Sequence, residues 1–116
     1  MLLVDHLQIR KQWVMDNFEI FLGATVADAA ARPLHWVYDP KKLKGYIKGK
    51  KEIAFLKQNK SPFYSIKTGN VSGYNDVGQV MFKTLISTNK KSDIIKNFKK
   101  NIVKNFGPGS AYWRNL

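Results

Sequence analysis

Apolar residues in the first part of the chain fall at helical intervals. From about Asp5 to Ala31, Leu7, Val14, Phe18, Phe21, Leu22 and Val26 recur at spacings of three, four and seven, which sets a stripe along a helix. The second half of this segment, "GATVADAAA" (Gly23–Ala31), is a run of small side chains. Small side chains let another backbone come close, so this half is expected to be buried against neighbouring helices. Pro33 ends or redirects the helix, because it lacks an N–H and restricts the residue before it. Asp39-Pro40 has the order of an N-cap followed by proline at the first helical position, and predicts a short basic helix to about Ile47.

"KEIAFLKQN" (Lys51–Asn59) carries a second short helical pattern. The stretch Lys60–Asp76, "KSPFYSIKTGNVSGYND", has Pro, Gly, Ser and Asn without period, and reads as a loop long enough to suggest function. Helical spacing resumes with Val77, Val80, Met81, Thr84 and Leu85 to about Ser87. A last helix is expected to start at Ser92 as N-cap and to place Ile94, Ile95, Phe98, Ile102 and Phe106 on one face. Gly107-Pro108 stops it. No segment alternates with period two for long enough to make a strand. The pattern predicts an all-α helical bundle, one domain or part of one across residues 1–116.

At 116 residues with 44% apolar side chains, the chain can bury a modest core, which argues against disorder. It has no cysteine, so disulfide frameworks and thiolate metal sites are excluded. The start, "MLLVDHLQIRKQW", lacks the basic n-region and long apolar run of a signal peptide. Glu19 and Asp28 interrupt the most apolar part, so no run reaches membrane-spanning length. The expectation is a cytoplasmic protein without a membrane partner. The net charge of +12 invites a nucleic-acid reading. The basic residues are overwhelmingly Lys, with Arg10, Arg32 and Arg114 the three arginines, and they cluster within Asp39–Lys51 and Asn89–Asn105. Solvated helix faces account for them better than a dedicated phosphate site, so nucleic-acid binding is expected to be weak and unselective.

Candidate chemistry is sparse. In "SGYNDVGQVM" (Ser72–Met81), Asn75 and Asp76 stand where a loop hands over to a helix, as metal donors or as satisfiers of orphan backbone N–H groups. His6 and His35 have no ligand-spaced partner. His35 beside Trp36 could line a nucleotide pocket, the indole stacking on a base, or the aromatic group could pin the loop after Pro33. Tyr112 and Trp113, near the end in "FGPGSAYWRNL", either fold back on the core or lead into a further element.

Three segments in order, "FLGATVADAAARPLHWVYD" (Phe21–Asp39), "SPFYSIKTGNVSGYNDVGQVMFKTL" (Ser61–Leu85) and "NFGPGSAYW" (Asn105–Trp113), resemble the amino-terminal part of the ADP-ribosylglycohydrolase family. The likeness is strongest to its branch of J-type lens crystallins and selenoprotein J. It implies a compact all-α domain. It also implies, for active members, a pair of magnesium ions that cleave the glycosidic bond of ADP-ribose. The family's first motif, G-x-x-x-G-D-A-x-G-x-P-x-E, meets Gly23, Ala27, Asp28, Ala29, Ala31, Pro33 and His35 here, so two glycines are replaced by alanine and the glutamate by histidine. Asp28 is kept, and its expected place is a buried carboxylate bonded to backbone or side-chain donors near the helix end. The second motif, an aromatic residue followed by Thr-Asp-Asp-Thr, meets Tyr74, Asn75, Asp76, Val77 and Gly78. A later Asp-x-Asp-Thr segment has no counterpart.

The resemblance therefore implies Asp28, His35, Trp36 and Tyr74 as candidates toward an ADP-ribose-like ligand and Asn75 and Asp76 toward magnesium. It assigns no catalytic residue. Magnesium takes several hard oxygen ligands, so with one carboxylate left in the second motif and no later Asp-x-Asp-Thr segment the expectation is a truncated chain, inactive alone. The small-residue helix, incompletely covered, is expected to make it prone to self-associate.

Overall fold

The computed structural model describes residues 2–63 and 67–110 and, within the first helix, the side chains of residues 8, 9 and 11–31. It is all-helical, with four α-helices and no strand among the described residues. The chain divides into two compact units, Met1–Ser72 and Gly73–Leu116. Tyr112 and Trp113 lie outside the described residues.

In the first unit, helix α1 runs Leu2–Ala31 and passes into a 3-10 turn at Arg32–Leu34. Proline in that turn stops the α-helical ladder, as its missing N–H requires. Helix α2 spans Pro40–Ile47. Its N-cap is Asp39, whose carboxylate accepts from the backbone N–H of Lys41 at 2.8 Å and of Lys42 at 3.4 Å, with proline at the first helical position. Start, cap and end agree with the sequence.

Two expectations for this unit fail. Lys51–Asn59 forms turns and bends with no helix. Phe55 sits in the left-handed region at φ 52, and its N–H donates to the Ala30 carbonyl at 2.9 Å. A nine-residue helix is marginal in isolation, and here its backbone satisfies the open carbonyl end of α1 instead. The second failure concerns the small-residue half of α1. Gly23, Ala24, Val26 and Ala27 are exposed, and burial is confined to Ala29 and to Arg32 and Pro33 just beyond the helix. The loop that covers α1 reaches only residues 28–33, so the helix upstream keeps its small and large apolar side chains in the open.

In the second unit, helix α3 spans Gly73–Ser87 and helix α4 spans Ile94–Phe106, and the two pack together. Helix α3 begins at Gly73, ahead of the expected resumption at Val77. Ser92 lies in a 3-10 turn at Lys91–Asp93, and Asp93 occupies the N-cap position of α4 without a side-chain capping bond. The packed face of α4 also differs from the expected stripe. Ile95 is 61% exposed, whereas Ile94, Asn97, Phe98, Asn101 and Ile102 are half-buried. Asn101 donates to the hydroxyl of the fully buried Thr84 at 2.9 Å, and Asn97 donates to Thr88 at 3.1 Å. Polar residues were not counted toward that face, yet Asn101 closes a side-chain hydrogen bond to α3 and Asn97 one to Thr88 just after it.

Candidate ligand-binding site

The end of α1 is the most constrained part of the first unit. Asp28 accepts from the Ser72 backbone N–H at 2.7 Å with one carboxylate oxygen and from the Ser72 hydroxyl at 2.6 Å with the other. Ser72 is fully buried. One turn later, Arg32, also fully buried, donates from Nε to the Asn70 carbonyl and from Nη2 to the Lys67 carbonyl, both at 2.6 Å. The planar guanidinium suits two carbonyls side by side. Residues 28 and 32 share a helix face, and together they hold the segment 67–72. Two more contacts hold the loop upstream. The Phe55 N–H reaches Ala30 as described, and the Lys60 N–H donates to the Pro33 carbonyl at 2.8 Å. Thr68 then donates to the Leu56 carbonyl at 2.8 Å, tying the two parts of the loop together.

Arg32 is the residue that reading the sequence missed. Its signal was its place four residues after Asp28 at the end of a helix, as one of three arginines in a chain otherwise basic through lysine.

His35 is half-buried, and its backbone N–H donates to the Arg32 carbonyl at 3.0 Å. Trp36 adopts φ 67, an unusual conformation for a bulky side chain. Its ring meets Tyr38 edge-on at 6.0 Å and Phe63 at 5.4 Å between centroids. Trp36, Tyr38 and Phe63 thus form an aromatic cluster after Pro33.

The remaining candidates lie in the second unit, in the first turn of α3. Tyr74 is 67% exposed and Asn75 is buried. The Asn75 side-chain oxygen accepts from Gln79 at 2.9 Å. Asp76 is half-buried in that first turn, three residues inside the helix rather than at its cap, where its charge meets the positive end of the helix dipole. Among the described residues no group of three or more His, Asp or Glu side chains gathers as a metal centre would need. Magnesium requires several oxygen donors in near-octahedral array. Asp28 is bonded to Ser72 and Asn75 to Gln79, each within its own unit, and among the described residues neither unit gathers the oxygen donors that a magnesium pair takes.

No family model and no solved structure matches the chain. It is 34% identical to crystallin J1B and 33% identical to crystallin J1A, both of Tripedalia cystophora, over 91 residues in each case. The chain is a relative of the J-type crystallins. The matched stretch covers 78% of the chain and 28% of each crystallin, so the chain spans little more than a quarter of these relatives' length.

Proposed function

We propose that this chain is a structural segment of a J-crystallin-like domain, without hydrolase activity of its own. The observation that carries this reading is the surface of α1. Ile9, Trp13, Met15, Phe18, Ile20, Leu22 and Val26 are between 46% and 72% exposed, and they face several sides of one helix. So many large apolar side chains left open on one helix call for neighbours, and exposed apolar surface of this extent marks an interaction face. The occupant proposed for it is further helical chain of the same J-crystallin-like fold. In the isolated chain a second copy takes its place.

The acidic positions support the same reading. The oxygens of Asp28 and Asn75 have bonds within their own units, and Asp76 is the one acid left in the second motif. The ADP-ribosylglycohydrolase kinship of J-type crystallins, and with it an ADP-ribose-like ligand, remains part of this proposal. No step of hydrolysis is assigned to these residues. No helix among the described residues is long and apolar enough to cross a membrane.

Sedimentation of residues 1–116 tests the interaction face. The expected result is concentration-dependent association that Ile20→Lys with Leu22→Lys abolishes while helicity is retained. A monomer at all concentrations, before any substitution, would overturn the reading.

A further inference from the structure

The loop held by the end of α1 forms one wall of a basic groove. A hollow of about 540 Å³ is lined by Lys50, Lys51, Lys57 and Lys60 with Tyr46 and Phe55. A second, of about 290 Å³, is lined by Trp36, Tyr38, Lys42, Tyr46 and Lys60. The two share Tyr46 and Lys60, where the ammonium of Lys60 lies 5.4 Å from the Tyr46 ring centroid. The acids lining the hollows are Glu52 and Asp39. The Asp39 carboxylate caps α2, so the balance of mobile charge in the groove is positive.

The rings at one end are open to solvent. Tyr38 is 80% exposed and Phe63, edge-on to Trp36, is 73% exposed. Backbone strain concentrates at the same place. Among the described residues the non-glycine positions with positive φ are Trp36 and Phe55, one lining each hollow, and such conformations persist where surrounding structure enforces them, often at binding sites.

We propose that this groove binds a short segment of single-stranded nucleic acid, phosphates along the lysines and bases against the open rings of Trp36, Tyr38 and Phe63. A basic track with exposed aromatic rings is the arrangement that binds single strands with little sequence preference. A free nucleotide fits less well. Small-molecule sites enclose most of their ligand, whereas these rings cover one side of it and the lysines are spread along the groove. This inference does not rest on the crystallin-like reading of α1.

The test is fluorescence anisotropy of a labelled oligothymidylate titrated with the 1–116 chain at low and rising salt. Lys50→Gln with Lys57→Gln is compared with Lys96→Gln with Lys100→Gln on α4, which removes the same charge from an exposed helix face. The groove pair is expected to weaken binding about tenfold and to lower the salt slope by roughly two, while the α4 pair changes little. Tyr38→Ala, with helicity checked by circular dichroism, is expected to weaken binding about tenfold through lost stacking. Equal losses from the two lysine pairs would show a generic charge effect and overturn the proposal. So would absence of binding at low salt, no effect of Tyr38→Ala, or a mononucleotide that binds as tightly as the oligomer.

Discussion

Replacing Asp28 by alanine removes two charge-assisted hydrogen bonds at once. The Ser72 N–H and hydroxyl, both within a fully buried residue, lose their acceptor at 2.7 and 2.6 Å. Hydrogen bonds to charged groups contribute about 1.5–3 kcal/mol each, and a buried donor left unsatisfied costs about 1–3 kcal/mol. Asp28 itself is half-buried, so water recovers part of the loss, and about 3 kcal/mol is expected for Asp28→Ala. Asp28→Asn keeps one acceptor for the backbone N–H and offers its amide to the hydroxyl, so it should cost about half as much. Amide hydrogen exchange reads the effect locally. The Ser72 amide is expected to be protected in the wild type and to lose that protection in Asp28→Ala, together with the Phe55 and Lys60 amides held by the same helix end. A ligand-binding Asp28 with no structural duty would leave stability within about 0.5 kcal/mol of wild type and the exchange of Ser72 unchanged. That result would refute the reasoning.

Arg32→Lys keeps the charge but loses the planar fork that reaches Asn70 and Lys67; a loss of about 2–3 kcal/mol is expected in urea unfolding, with the 67–72 segment becoming sensitive to protease. Thr84→Val preserves shape in the second unit but removes the acceptor of Asn101, and should cost about 1 kcal/mol, with Asn101→Ala adding little once Thr84 is changed, as a double-mutant cycle would show.

The helical architecture was legible because its signals are local. Three-four spacing, Asp39-Pro40 and Gly107-Pro108 each act within a turn or two of chain, and α1, α2, α3 and α4 follow from them. Misreadings came where distant groups compete for the backbone. Lys51–Asn59 has a helical pattern, but the Ala30 carbonyl at the end of α1 takes the Phe55 N–H, a contact no periodicity encodes. The α4 face was read from apolar residues alone, so Asn101, which bonds to Thr84 of α3, and Asn97, which bonds to Thr88 beyond its end, were left out. At the candidate site, Asp28 was expected to bond to nearby donors, and Ser72 supplies two of them across forty-four positions of sequence. Arg32 was overlooked because the carbonyls it reaches, Lys67 and Asn70, lie thirty-five and thirty-eight positions away in sequence. The groove at Tyr46 and Lys60 was invisible for a related reason: its lysines, exposed as expected save the half-buried Lys60, belong to α2, the loop and the turn between, and their juxtaposition depends on how those segments fold.

The central proposal is that this J-crystallin relative, with Asp28 bonded to Ser72, does not hydrolyse ADP-ribosyl bonds alone. Release of ADP-ribose from ADP-ribosylated arginine or serine peptides, followed with and without added magnesium on purified 1–116 chain, tests it most directly. The account predicts no release above the buffer blank in either condition. Magnesium-dependent release that Asp76→Ala abolishes would contradict it.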